Sequence, residues 1–377
     1  MPAPAQVVLL TGATGAVGRP LLAALASYPE VERIYALAHL DALPPLDARL
    51  VALHGDVTAG ADLGLGAAAV RRLTAEVTTV VHAAADTSFS ASFADSARTN
   101  VGGTRNVIGL AARCRRLERC VALSTTHVAG RRTGVVREEE LDHQSGFVND
   151  YERAKHAMER ELRARMADLP LAVCRLSTVA GDSRTGAVPR RGALHQAVLL
   201  LYASLAPMLP GDEDSPVDLV ALDYAAAAVA WLALRAFAAG RTWQVCAGAD
   251  ALGAGELLDL TMQSIREHRP AWRRRAIERP ALVDLATFEL FRRSVEAVGD
   301  GALRESTDVV ARFAPQLAFP KRFDDGACRA ALAGSGIDRP PIREVWRKVV
   351  GRLVQGREEQ ASDTRINRAV HMQPAAP

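Results

Sequence analysis

A short apolar run, Val7-Val8-Leu9-Leu10, leads straight into Thr11-Gly12-Ala13-Thr14-Gly15-Ala16-Val17-Gly18, and a helical stretch follows from Pro20 to Tyr28. No other stretch restricts the fold as strongly. An unbroken apolar run of this length reads as a buried parallel strand. Each glycine then answers a steric demand. Gly12 permits the tight turn, Gly15 lets a pyrophosphate approach the backbone, and Gly18 packs the helix on the strand. The free N–H groups and the positive end of the helix face the phosphates. The same spacing also occurs in plain structural turns; the flanking strand and helix give it weight.

The pattern then repeats. Val31–Ala38 reads as a second strand, Leu50–Val57 as a third ending in Gly55-Asp56-Val57, and Val77–Ala85 as a fourth. Asn100-Val101-Gly102-Gly103-Thr104 opens a helix through Cys114. Arg119–His127 is a fifth strand, a helix runs from about Asn149 to Ala167, and Leu171–Gly181 is a sixth strand. Short apolar strands alternating with longer helices mean a doubly wound parallel α/β sheet of the Rossmann kind.

In such a sheet, ligands sit at the carboxyl ends of the strands. The second strand ends near His39, followed by Asp41. An acid there would hold a ribose 2′-OH and a base a 2′-phosphate. The lack of an acid directly at the strand end tilts the expectation to NADP(H), with NAD(H) possible; Arg19 is a second phosphate ligand. His39 reads equally as an exposed loop histidine. Asp56 could accept from an adenine amino group or cap a turn. The small residues Ala83, Ala84 and Ala85 suit a backbone beside a cofactor. The fifth strand ends in hydroxyls, Ser124-Thr125-Thr126, which are catalytic candidates or plain β-formers.

Tyr151 and Lys155, four apart on one helix, share a face. A cation near a phenol favours the phenolate and lowers its pKa from about 10. Such a pair can move a proton at neutral pH. Alone, it also reads as an ordinary surface helix.

Composition excludes several classes. A formal charge of +3 over 377 residues and an aromatic content of 5% argue against nucleic acid. The five cysteines show no Cys-x-x-Cys spacing, so no metal or disulfide framework is expected. Ala193–Pro210 and Ala221–Ala239 are apolar but interrupted, and read as buried helices rather than membrane spans. The start, Met1-Pro2-Ala3-Pro4, lacks a basic segment before its first apolar run; the expected compartment is the cytoplasm.

The pattern breaks over 187–216, returns over 217–248, and becomes helical from Ala254. The expected division is therefore a Rossmann domain, 1–186 with 217–248, and a smaller helical substrate lobe, 187–216 and 249–355. A disordered tail is expected over 356–377. Eight arginines against four acids between Arg266 and Arg293 offer a surface for an acidic partner or phosphates, or simply a solvated helix face. Phe288, Phe291, Phe313, Phe319 and Phe323 read as core or acyl-pocket residues.

The ordered set of Gly12/Gly15/Gly18, Gly55-Asp56-Val57, His82–Ala85, Asn100 with Gly103-Thr104, Ser124-Thr125, Tyr151/Lys155 and Arg175-Leu176-Ser177 resembles an extended short-chain dehydrogenase/reductase. Leu123–Gly130, Asn149–Lys155, Gly181–Gly186 and Val217–Tyr224 are most similar to its thioester reductase and fatty acyl-CoA reductase branch, with a male sterility-type NAD-binding domain. The resemblance covers about residues 6 to 240. It implies Tyr151 as proton donor, Lys155 holding the nicotinamide ribose and lowering the tyrosine pKa, Thr125 as the catalytic hydroxyl, and Asn100 supporting the lysine through water. It further implies cofactor contacts from Thr11, Gly12, Thr14, Gly15, Ala16, Val17, Gly18, His39, Asp56, Val57, Ala83, Ala84, Ala85, Asn100, Ser124, Tyr151, Lys155, Leu176 and Ser177. Three positions depart from the pattern: His39 replaces a basic residue, Leu176 a proline after Arg175, and Ala221 a proline after Val220.

The implied reaction is reduction of an acyl thioester, on coenzyme A or an acyl carrier protein, to aldehyde or alcohol. Within the same family the alternatives are an enzyme acting on a hydroxysteroid-like or other lipid alcohol or ketone, and a sugar-nucleotide epimerase or dehydratase. The apolar stretch 194–209 disfavours the sugar nucleotide. A nucleotide-sensing protein with a dead site is disfavoured by the intact Thr125, Tyr151 and Lys155.

Overall fold

The computed structural model describes residues 5–38, 48–269, 272, 278–312 and 314–370, with side chains through 356. Seven strands form one parallel sheet: β1 (Gln6–Thr11), β2 (Val31–Ala38), β3 (Leu50–His54), β4 (Thr79–His82), β5 (Arg119–Thr125), β6 (Leu171–Leu176) and β7 (Thr242–Val245). Their order across the sheet is β7-β6-β5-β4-β1-β2-β3. The chain runs outward from β1 to β3, then crosses back to β4 on the other side of β1. That reversal opens a crevice at the carboxyl ends of β1 and β4, where an α/β sheet binds its ligand.

Alternation along β1 explains the layers. Successive side chains point to opposite faces. Val8 and Leu10 join one core cluster, with the helices Gly18–Ala26 and Leu222–Leu234. Val7 and Leu9 join another, with the helices Ala67–Glu76, Thr104–Ala111 and Asp150–Arg165. The apolar stretch 221–239 is therefore a core helix. Among the described residues, no helix is long and apolar enough to cross a membrane. All five cysteines are buried and free.

Four expected strands end early: the third stops at His54, and the sixth divides at Ser177 into Leu171–Leu176 of the central sheet and Thr178–Gly181, which pairs with Leu219–Ala221. The fourth stops at His82, leaving Ala83–Ala85 as irregular backbone. The fifth stops at Thr125, whose hydroxyl accepts the His127 N–H at 3.2 Å and starts a 3-10 turn over Thr126–Ala129.

Beyond Gly181 the chain adds the helices Ala193–Tyr202, Ala254–His268, Leu285–Val298, Gly301–Ala311 and Ile342–Val370. Trp346, Val349, Val350 and Leu353 of the last pack into the same cluster as Leu222–Leu234. Leu209, Phe288, Val310 and Ala314 form a smaller one of their own, which makes Phe288 a core residue. The final helix runs past Gly356, where a disordered tail is expected, as far as Val370. Of the arginine-rich stretch, Arg273–Arg275 lie outside the described residues, as does Phe313. Arg279 bonds Glu213 and Asp259, and Arg292 bonds Glu289 and Glu296, so these two belong to a solvated, paired surface.

Candidate active site

The carboxyl ends of four adjacent strands meet here. Thr11 of β1 pairs in register with His82 of β4, and Thr125 of β5 with Leu176 of β6. The turn after β1 is held by close backbone approach. Gly12 has φ +72°, and a Cβ on it would lie 2.5 Å from the Ala84 amide nitrogen. A Cβ on Gly18 would lie 1.8 Å from the Gly12 carbonyl oxygen. Gly15 is different: it is exposed, and its Cβ would meet only the Gly12 oxygen, at 3.2 Å. Gly12 and Gly18 thus serve the fold, and Gly15 leaves the approach open. Thr14, Ala16 and Val17 complete the turn, half-buried. The helix it feeds has no side-chain cap and no acid in its first turn, so its positive end stays available to phosphate.

Ala83 and Ala84 are fixed to this turn. The Ala83 N–H donates to the Thr11 carbonyl at 3.2 Å and the Ala84 N–H to the Thr11 hydroxyl at 3.3 Å. His82, wholly buried, joins the Thr11 hydroxyl (2.7 Å) to the Thr104 hydroxyl (2.9 Å), which donates to the Asn100 carbonyl at 2.6 Å. Burial first, then the nearby Lys155 charge, lower the His82 pKa to about 3, so it is a neutral bridge.

Asn100 is fully buried in a π-helical turn, Arg98–Gly103, which widens the helix at this point. Its side chain accepts the Asp86 N–H at 3.0 Å and donates to the Asp86 carbonyl (2.9 Å) and the Ser96 hydroxyl (3.0 Å). It therefore clamps the segment that continues Ala83–Ala85, and its amide is spent there rather than on Lys155. A Cβ on Gly103 would lie 2.8 Å from Val57 Cγ2, which packs the third-strand end against this turn. Asp56 takes the turn role, with Oδ1 accepting the Thr58 N–H (2.7 Å) and hydroxyl (2.9 Å). The Ser177 hydroxyl is buried without a hydrogen-bond partner beside Asp218, whose carboxylate holds the Ala247 and Gly248 N–H groups at 2.7 and 2.8 Å. His39 and Asp41 lie outside the described residues. Arg19 Nε donates to the Thr14 carbonyl at 3.2 Å and so sits on the turn itself.

Tyr151 and Lys155 project from the helix Asp150–Arg165. The Asn149 side chain caps that helix by accepting the Glu152 N–H at 3.0 Å, and acids in its first turn and arginines in its last suit the helix dipole. Tyr151, Lys155, Ser124 and Thr125 are all buried. The Thr125 hydroxyl neighbours the Tyr151 phenol, near enough to favour its ionised form. Because Thr125 also accepts the His127 N–H, its own proton is free to point toward the phenol or a bound carbonyl.

The phenol's acidity runs opposite to the expected depression. Burial is the dominant effect and raises its pKa above the ordinary range; the nearby Thr125 hydroxyl opposes this, while Glu152 and Asp86 add to it. Lys155 does not reach it. Its Nζ donates to the Leu123 carbonyl at 2.9 Å and lies 3.1 Å from Met158 Sδ, and burial lowers its pKa to about 8. Tyr151 is thus a protonated phenol at neutral pH, the state a proton donor needs.

The residues present fit a bound dinucleotide. Besides the open turn, the Ser124 and Thr126 hydroxyl oxygens are buried without a hydrogen-bond partner. Orphaned buried hydroxyls are rare outside sites that a ligand completes.

Several site residues escape a pattern reading. The Phe89 ring lies 5.3 Å from the Tyr151 ring, brought there by the loop after Ala85. Glu152 is fully buried behind Tyr151, its Oε2 accepting the Val148 N–H at 2.9 Å and its Oε1 the Gln316 side-chain amide. Lys321 donates to Gln316 Oε1 at 3.2 Å. The signal for Glu152 is in the sequence: Asn149 followed three residues later by an acid is a capping pattern. Nothing local announces Gln316 or Lys321, which arrive from 164 positions or more downstream.

Fold and site define a dinucleotide-dependent oxidoreductase of the short-chain dehydrogenase/reductase type. The family model described as male sterility protein, an NAD-binding family, matches residues 39–229, and the chain belongs to that family. Relatives match in part. A polyketide synthase-nonribosomal peptide synthetase of Pyricularia oryzae is 44% identical over 115 residues, 29% of this chain and 3% of that protein. A linear gramicidin synthase of Brevibacillus parabrevis is 28% identical over 258 residues, 62% of this chain and 5% of that protein. The chain thus spans a small fraction of these relatives. In fold, it is similar to the terminal R domain of the myxalamid PKS-NRPS pathway, with TM-score 0.76 and 24% identity over 94% of this chain and 92% of that one. It is also similar to a thiolation-reductase di-domain of an archaeal non-ribosomal peptide synthetase, with TM-score 0.70 and 18% identity over 95% and 76%.

Proposed function

We propose that this chain is an NADPH-preferring reductase of acyl thioesters, taking the acyl group from coenzyme A or from an acyl carrier protein. One observation carries the chemistry: a buried, protonated Tyr151 phenol beside the Thr125 hydroxyl at the carboxyl end of β5. Two hydroxyl donors converging there suit the oxyanion of a carbonyl under attack. A nicotinamide dinucleotide bound at the turn after β1 would supply the hydride that the carbonyl carbon takes. Tyr151 and Thr125 hold the oxygen, Tyr151 gives the proton, and the C–S bond breaks to release thiol and an aldehyde. Gly12–Gly18, Ala83–Ala85, Ser124, Lys155 and Leu176 are the proposed cofactor contacts, with Asp56, Val57 and Asn100 shaping the pocket.

The thioester substrate is supported by the partial identity to synthetase relatives and by the fold shared with reductase domains. Segments 187–216 and 249–355 are the proposed substrate lobe. The preference for NADPH rests on the missing acid after β2. The test is oxidation of NADPH and NADH with acyl-CoAs, an acyl-carrier thioester and a secondary ketone. Thioester-dependent oxidation that Tyr151→Phe abolishes supports this reading; activity on the ketone alone replaces it with the lipid-carbonyl reading.

A further inference from the structure

A cleft of about 630 Å³ adjoins Tyr151. Phe89, Ser92, Phe147, Asn149, Arg153 and Arg312 are among its walls. Phe89 is shared: its ring packs at 5.3 Å on the Tyr151 ring and also forms the inner wall of the cleft. Asn149 is shared too. It caps the helix that carries Tyr151, and its amide reaches the Arg312 carbonyl at 3.4 Å. The cleft therefore borders the ring and the helix cap that hold Tyr151.

Its charge is positive and unpaired, unlike that of several other surface arginines. Arg105, Arg113, Arg279 and Arg292 each sit on a carboxylate. Among the described residues, Arg153 and Arg312 have no ion-pair partner. Arg153 is held instead by stacking, its guanidinium 4.1 Å from the Phe93 ring centroid, which leaves its N–H edge open. The one acid among the described lining residues, Asp150, is occupied by the Phe93 N–H at 3.0 Å. Two unpaired guanidinium groups in one polar cleft are a phosphoryl-binding arrangement.

We propose that this cleft takes the phosphoryl end of the pantetheine arm that delivers the acyl group, with Arg153 and Arg312 as its cationic contacts. The inference rests on the thioester reading above. Coenzyme A and a carrier protein both present a phosphoryl group at that end of the arm, so the shared chemistry is a phosphopantetheine ester. The acyl group is then directed past Phe89 toward Thr125 and Tyr151.

The test compares one acyl group on four carriers: pantetheine, phosphopantetheine, coenzyme A and an acyl carrier protein. The wild-type chain should have a lower KM for acyl-phosphopantetheine than for acyl-pantetheine. Arg153→Gln and Arg312→Gln should each cut that discrimination by about fivefold, the double variant more, with kcat held. Arg312→Glu should reverse the sign of the preference, an outcome that mere loss of packing does not produce. Equal effects on all four carriers would make the arginines structural and overturn the proposal. Loss confined to the carrier-bound thioester would overturn it in favour of contact with the carrier's own surface. Equal wild-type KM values for the pantetheine and phosphopantetheine esters would also overturn it, leaving the thioester reading intact. No turnover with any thioester would instead refute that reading. The larger kcat/KM between coenzyme A and carrier identifies the physiological source.

Discussion

Lys155→Met should make the folded protein more stable at pH 7 while abolishing turnover. Lys155 is buried, and its Nζ meets a carbonyl, that of Leu123, and a thioether, that of Met158. Neither neutralises an ammonium. Burial lowers its pKa from 10.5 to about 8, with Glu159 opposing. At about 1.36 kcal/mol per unit, holding the charge in the fold costs about 3 kcal/mol at neutral pH. Methionine removes that cost and loses one hydrogen bond of about 1 kcal/mol. The net gain is about 2 kcal/mol, or about 3 °C in Tm for a chain of this size.

The pH dependence gives the decisive control. A folded pKa below the unfolded one means that the unfolded chain holds more protons between about 8 and 10.5. Wild-type stability therefore rises with pH across that window, and the charge penalty is gone above it. The methionine variant lacks this rise, so its advantage should shrink from pH 8 and reverse near pH 10.5. Urea melts of both proteins at pH 7 and 10.5 measure the difference directly. A variant less stable at pH 7, or a gap that does not move with pH, would refute the reasoning. The wider point is that a cation kept without a counter-ion at this cost is retained for function.

Tyr151→Phe should lower kcat by about 10²- to 10⁴-fold while nucleotide affinity, read by fluorescence titration, is kept. Thr125→Ala should lower kcat by about 10²-fold, and Thr125→Ser should restore most of it, because the hydroxyl rather than the methyl group acts. Gly12→Ala places a side chain at φ +72° and 2.5 Å from the Ala84 nitrogen. It should cost about 2 kcal/mol or more in a thermal melt and weaken nucleotide binding, whereas Gly15→Ala, exposed and meeting only the Gly12 carbonyl oxygen at 3.2 Å, should cost the fold less and act mainly on binding.

Much of this site was legible because its parts are local. The Gly12–Gly18 turn, the hydroxyls closing β5 and the Tyr151/Lys155 spacing each encode their geometry within eight residues. The parallel, doubly wound sheet follows from the alternation of short apolar runs with helices, and β2 matches its expected span, Val31–Ala38. What sequence could not give was direction of effect. The one-turn spacing places Lys155 near Tyr151, yet the ammonium turns to the Leu123 carbonyl, and burial decides the phenol's acidity. Asn100 reads as a helical residue; that it sits in a π-helical turn and spends its amide on Asp86 depends on a loop 14 residues earlier. The strand ends expected at Ala85 and His127 fall short for one reason. Apolar or β-branched composition continues past the last ladder bond, where backbone and hydroxyl turn to the ligand side instead.

The long-range part of the site explains how one helix can serve both halves of the molecule. The N-terminus of the helix Asp150–Arg165 is held by Asn149 and by Glu152, whose carboxylate reaches back to Val148 and across to Gln316. Gln316 is in turn bonded by Lys321, on a strand, Lys321–Phe323, that pairs with Gly134–Val136 beyond β5. Burial raises the Glu152 pKa to about 7 and lowers that of Lys321 to about 8. Each charge is costly alone and is stabilised by the other, so the pair holds only while the segment 314–323 is seated on the helix. Tyr151 lies one residue before Glu152 and packs on Phe89 of the loop after Ala85. Tyr151 is therefore fixed between that loop and the C-terminal segment. Displacing that segment would strand a buried carboxylate directly beside the phenol, and this couples the seating of residues 314–323 to the placement of Tyr151.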